Sequence, residues 1–183
     1  MSIPVSIDPL GTLGAFIPPG WKRAEFVYGI DKSLATVAMP MEDDVLQMRF
    51  VMDIEHVTYG ILGYFQPNAS SAYYKRICVQ QLPDNEIQFR NANSGDTYKI
   101  YVSPEVNDMT FTKEGVTLNG QFINWDRDAF DASYNNRFNI SSKYTFYGAE
   151  LIRDGRKVME LVPYRNGDRQ ALADMATKQF FEI

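Results

Sequence analysis

Residues 147–163 read Tyr147-Gly148-Ala149-Glu150-Leu151-Ile152-Arg153-Asp154-Gly155-Arg156-Lys157-Val158-Met159-Glu160-Leu161-Val162-Pro163. Tyr144, Phe146, Tyr147, Ala149 and Leu151 make an aromatic and apolar strand. Asp154-Gly155 is a hairpin signal, because both residues tolerate the positive φ that a tight two-residue turn requires. Val158 to Val162 then forms the returning strand, with Pro163 expected to stop it by removing a ladder donor. Beyond a second turn signal at Asn166-Gly167-Asp168, the segment Gly167 to Lys178 invites a helical turn or short helix, and the chain closes on Phe180-Phe181.

Upstream of this hairpin the period of two persists. Between Val45 and Glu55, Leu46, Met48, Phe50, Met52 and Ile54 alternate with Gln47, Arg49, Val51, Asp53 and Glu55, which predicts a long strand with one buried face. Further strands are expected at 76–81, 87–90, 98–103, 109–112, 116–118, 138–141 and 143–151. Pro83-Asp84-Asn85, Asn93-Ser94-Gly95-Asp96, Glu114-Gly115 and Asn119-Gly120 punctuate them. Many short strands joined by such turns predict an all-β chain, built as a two-sheet antiparallel sandwich rather than a parallel βαβ sheet.

Composition narrows the chemistry. The 183 residues are enough for one domain with a core that needs no disulfide or metal staple. With one cysteine, Cys78, and one histidine, His56, an internal disulfide, a zinc site and the usual nucleophile–histidine pairs are all unfavoured. Cys78 lies in the apolar run Ile77-Cys78-Val79 and reads as a small buried hydrophobe. Eighteen basic residues stand against 23 acidic ones, without a basic run, so nucleic acid is not an expected partner. The opening residues lack the charged and apolar regions of a secretory signal, and no apolar run approaches the roughly 20 residues needed to span a bilayer. A chain made in the cytosol, without membrane partners, is the expectation.

The C-terminal string also resembles the signature of laminin-G-like, concanavalin-A-like jelly-roll domains found in bacteriophage virion proteins and bacterial surface proteins. Asp154-Gly155, Val158-Met159-Glu160-Leu161-Val162-Pro163, Ala171-Leu172-Ala173-Asp174 and Gln179-Phe180-Phe181 match its turn, strand, short segment and closing aromatics. Ala171 and Ala173 stand where that pattern has glycine and tyrosine. Upstream, Lys22 to Val27 is similar to its opening strand, and Thr110 to Gly120 to its middle hairpin. The resemblance implies a jelly-roll sandwich over residues 22–183 and a place in a virion, with other virion proteins or further copies of the chain as partners.

Residues 1–21 differ from the body. Ile3-Pro4, Asp8-Pro9-Leu10-Gly11 and Ile17-Pro18-Pro19-Gly20 are apolar and full of breakers, so they form an extended arm rather than a helix. Its apolar side chains, Ile3, Ile7, Leu10, Leu13, Phe16 and Ile17, either strap along their own domain or dock on a neighbouring subunit.

Three constellations bear on chemistry. Asp53 and Glu55 sit at i and i+2 on a strand face, about 7 Å apart at the backbone. Glycosidases use carboxyl pairs about 5 to 9.5 Å apart. The third carboxylate that glucanase jelly rolls place on the same strand is missing here, since Val51, Val57 and Thr58 flank the pair. A solvated face with Arg49 as partner is therefore expected. Asp126, Asp128 and Asp131 offer oxygen ligands to a calcium ion, but their spacing departs from the helix-loop-helix pattern, so a polar loop without a cofactor is expected. Finally, 14% of residues are aromatic. Most of these rings fill a core, while Trp125, Tyr101 and Tyr134, with Asn124, could form a recognition surface for sugar rings or protein partners.

The expectation is thus a non-enzymatic structural or decoration protein of a bacteriophage capsid, tail or fibre, attached through its arm. A carbohydrate- or receptor-binding module for a host surface glycan is the alternative, and a glycan hydrolase resting on Asp53 and Glu55 is a third class.

Overall fold

Alternation along residues 45–52 builds the centre of the molecule. The computed structural model describes residues 16–29, 32–34, 41, 43–52, 61–65, 78–81, 86–90, 97–124, 137–140 and 144–183. Among these residues the regular elements are all strands, and none is helical. In chain order the first eight are β1 (Lys22–Arg23), β2 (Val27–Tyr28), β3 (Lys32–Leu34), β4 (Val45–Met52), β5 (Ile61–Phe65), β6 (Cys78–Gln81), β7 (Glu86–Arg90) and β8 (Thr97–Tyr101). They are followed by β9 (Asn107–Phe111), β10 (Gly115–Leu118), β11 (Gln121–Asn124), β12 (Arg137–Ile140), β13 (Tyr144–Arg153), β14 (Arg156–Asn166), β15 (Arg169–Asp174) and β16 (Gln179–Glu182).

Two antiparallel sheets result. A ten-stranded sheet runs β11-β10-β9-β4-β13-β14-β15-β16, with β1 beside β14 and β2 beside β13. A six-stranded sheet runs β3-β12-β5-β6-β7-β8.

Leu46, Met48, Phe50 and Met52 of β4 are each at most 3% exposed, whereas Gln47 and Arg49 between them face away. The same face of the sheet carries Phe146, Ala149 and Leu151 from β13 and Met109 and Phe111 from β9. Phe50 and Tyr144 pack edge to face with ring centroids 5.6 Å apart. Leu34 and Ile87 of the six-stranded sheet belong to the same buried cluster. Each such Leu, Ile, Met or Phe side chain contributes about 1.5–3 kcal/mol through removal from water. The all-β antiparallel expectation holds, and so do both hairpin turns: Asn119 (φ 49°) with Gly120 (φ 82°), and Asp154 (φ 48°) with Gly155 (φ 72°).

Two expectations are corrected. Pro163 does not end its strand, because β14 continues to Asn166. In β14, β13 pairs only as far as Leu161, and β1 takes over that edge at Tyr164. Pro163 lies in the gap between them, and its carbonyl accepts a hydrogen bond from Ala24 N (2.9 Å). Its missing N–H faces this interrupted edge, so no ladder bond is lost.

The segment Gly167 to Lys178 forms no helix either, and keeps only a single turn at its end, where Lys178 N donates to the Asp174 carbonyl at 2.9 Å. Arg169–Asp174 is a strand paired on both edges, by β14 and by β16. The helix preference of Ala171, Leu172 and Ala173 is overridden by that pairing and by their burial. Asp174, fully buried, closes the segment as a turn. Its carboxylate accepts from Glu160 N (2.9 Å), Ala176 N (3.0 Å) and the Thr177 hydroxyl (2.7 Å).

The described part of the arm lies on its own body. Lys178 Nζ sits 5.3 Å from the centre of the Phe16 ring, Trp21 meets Phe180 edge to face at 5.0 Å, and the Arg169 guanidinium covers Trp21 at 5.2 Å. Ile17 is half-buried. Ile3, Ile7, Leu10 and Leu13 lie outside the described residues.

A partly buried ion pair ties the start of β4 to the Asp154-Gly155 hairpin. Asp44, 3% exposed, accepts Arg153 Nε and Nη2 at 2.8 Å each and Met41 N at 2.7 Å. Asp44→Ala leaves Arg153 without this partner and should destabilise the fold by about 3 kcal/mol. The thermal midpoint should fall by roughly 6–12 °C; a loss under about 2 °C would show that the pair is dispensable.

Candidate functional site

The exposed face of the ten-stranded sheet is shaped by two irregularities in β13 and β14. Between β4 and β13 the register passes from Phe146↔Phe50 to Gly148↔Arg49, so Tyr147 is an extra, bulged residue. Gly148 makes this possible with φ 146°, where a side chain would be strained and would meet the Leu161 carbonyl at 2.8 Å. At the same level β13 and β14 part: β2 replaces β14 beside β13, and β1 replaces β13 beside β14.

The second irregularity shifts the hairpin register between Ile152↔Lys157 and Leu151↔Met159, leaving Val158 unpaired. Glu150 is thereby placed directly opposite Glu160. Like charges in that position repel. Lys157 Nζ relieves the repulsion by bonding Glu150 Oε1 at 2.6 Å and Glu160 Oε1 at 2.7 Å, and these two hydrogen bonds raise the lysine pKa.

Together these features leave a groove of about 920 Å³ on the outer face, centred on the parting of β13 and β14. Its floor carries Gln47, Arg49, Asp108, Thr110, Glu150 and Glu160, and its sides carry Tyr147, Val106 and the Arg23-Ala24-Glu25 segment. Arg49 Nε and Nη2 grip the Asp108 carboxylate at 2.7 and 2.9 Å, a bidentate fork. These hydrogen bonds hold the Asp108 carboxyl below its usual range and push the Arg49 guanidinium further up. The half-buried Tyr147 ring is backed by Phe26, with centroids 5.6 Å apart. The groove thus offers fixed donors and acceptors on rigid strands beside one ring face, a surface suited to a flat, polar, chain-like ligand.

The residues singled out from sequence fall elsewhere. Tyr101 is 65% exposed, but it ends β8 at the edge of the six-stranded sheet, opposite Glu86. Asn124 is exposed on β11, at the far edge of the other sheet, opposite Gly115. Neither lines the groove. Trp125, Tyr134, Asp53, Glu55, His56, Asp126, Asp128 and Asp131 lie outside the described residues, as does the side chain of Cys78. Among the described residues no cluster of His, Cys, Asp or Glu is arranged to hold a metal ion. Arg49 pairs with Asp108, and its expected partners Asp53 and Glu55 are among those outside the described residues.

What sequence reasoning missed is the set Tyr147, Asp108, Glu150 and Glu160. One signal was present: Gly148 interrupts the alternation of the aromatic strand, as a bulge does. The chain matches no family model, no curated protein and no solved structure.

The Arg49–Asp108 pair is largely exposed, with side chains 57% and 60% accessible, so it contributes at most about 1 kcal/mol. Because the Asp108 pKa is lowered on folding, that stability is present above the unfolded value and lost as pH falls through the lowered one. Asp108→Asn should therefore melt below the wild type at pH 7, and the gap should close below the ordinary aspartate value of about 3.9. A gap of equal size in urea melts at pH 7 and about pH 2.5 would contradict the ion-pair origin.

Proposed function

We propose that the protein is a non-enzymatic structural or decoration component of a bacteriophage particle, a jelly-roll body that attaches through the residues preceding its first strand. The observation that carries this is the clamp on the arm. Phe16 and Trp21 are held by Lys178, Arg169 and Phe180 at the β15–β16 end of the sheet. Residues 1–15 precede this clamp in the chain, and they carry Ile3, Ile7, Leu10 and Leu13 with a single charged side chain, Asp8. Such a segment suits strand addition or insertion into a neighbouring subunit more than exposure to water. The resemblance of the C-terminal hairpin to virion jelly-roll domains supports the same reading.

The outer-face groove favours a second role for the same body, as a carbohydrate- or receptor-binding module. The two readings are compatible, since the arm clamp and the groove use different residues.

Mass spectrometry of particles purified from cells that carry the gene tests the first reading. The full chain should co-purify in stoichiometric amount, while a chain lacking residues 1–15 should fold with an unchanged melting temperature and remain unattached. Absence of the full chain from particles, or attachment that survives the deletion, would overturn it.

A further inference from the structure

We propose that the outer-face groove binds a neutral or amino-sugar oligosaccharide and discriminates against acidic glycans, with Tyr147 as the ring platform and the Arg49–Asp108 fork as the hydroxyl-recognising pair. This inference rests on the second reading above and assigns that site its residues and its ligand class.

The open groove on the strand face suits an extended ligand better than a compact apolar one. The groove lies on a sheet surface, and its lining mixes hydrogen-bonding side chains with apolar residues such as Val106, Val162 and Pro163. A sugar chain offers what such a surface lacks: hydroxyls that donate and accept at once, and an apolar C–H face for the Tyr147 ring. Tyr147 is held for this purpose by the bulge at Gly148 and by Phe26 behind it. The fork is equally fixed, because both Arg49 hydrogen bonds end on one carboxylate while the outer faces of the pair remain in water.

Charge narrows the class further. Glu25, Asp108, Glu150 and Glu160 line the groove against Arg23 and Arg49. Lys157, at its margin, is already engaged by two of those carboxylates, and Arg49 by a third. Arg23 shares its side of the groove with Glu25. An incoming uronate or sialate must displace a resident carboxylate to reach Arg49 or Lys157, and it adds to a negative excess. A protonated amino sugar instead finds carboxylate acceptors in place. The whole chain, with a net charge of −5, biases encounter the same way.

Calorimetric titration with hexamers of β-linked glucose, of β-linked glucosamine and of α-linked galacturonate tests the proposal at low and at high salt. The glucose or glucosamine hexamer should bind with a millimolar or tighter constant. The galacturonate hexamer should bind at least about 10-fold more weakly, and that gap should narrow at about 0.5 M salt. Tyr147→Ala and Arg49→Gln should each weaken binding about 10-fold or more with little change in melting temperature, and Tyr101→Ala should change nothing. Equal or tighter galacturonate binding would overturn the charge selectivity while leaving a glycan site. Binding indifferent to Tyr147 and Arg49 would overturn the site. Failure of all three hexamers to bind would overturn the proposal together with the carbohydrate reading, without touching the particle reading.

Discussion

The structure depends on burying one face of two neighbouring strands, β4 and β13, at the middle of the ten-stranded sheet. Their inward side chains, Leu46, Met48, Phe50 and Met52 with Phe146, Ala149 and Leu151, are almost wholly removed from water. A one-residue slip on either strand would turn that apolar set outward, so the register is strongly specified. Leu34 and Ile87 of the six-stranded sheet join the same cluster. Hydrogen bonding then follows burial, since each central strand finds a partner on both edges.

The outer face is a consequence of how that register is kept. β13 keeps its pairing with β4 from Tyr144 to Ile152 by carrying one extra residue, and Tyr147 is that residue. Its bulge coincides with the parting of β13 and β14, where β1 and β2 take over the freed edges. The groove therefore sits where the sheet is irregular, while its floor stands on the most regular part. A second bulge at Val158 brings Glu150 and Glu160 together and gives Lys157 its place between them. Rigid support beneath and irregular backbone alongside is the usual arrangement of a binding surface, and both proposed roles draw on it.

Much of this was legible in the sequence, and the parts that were not have physical reasons. Period-two alternation marked β4, and Asp154-Gly155 and Asn119-Gly120 marked their hairpins, because burial and positive φ are local demands. Ala171-Leu172-Ala173-Asp174 was misleading: alanine and leucine favour helix, and only pairing with β14 and β16, invisible in the segment itself, makes it a strand. Pro163 was misleading for a similar reason, since whether a missing N–H matters depends on which neighbour its edge faces. The groove was the hardest to foresee. Counting back from a two-residue turn places Glu150 opposite Met159, and only the bulge at Val158 moves Glu160 into that position. Tyr101 and Asn124 were chosen for residue type near strand ends, which carries no information about the sheet to which each belongs.

Native-state hydrogen exchange tests the central claim most directly. Amides of Met48, Phe50, Ala149 and Leu151, on the two strands that share the buried face, should be the slowest in the chain. They should exchange only through global unfolding, with a denaturant dependence equal to that of the whole domain. If these amides opened sub-globally, or exchanged faster than those of β15 and β16, the β4–β13 pair would not be the element that holds the molecule together.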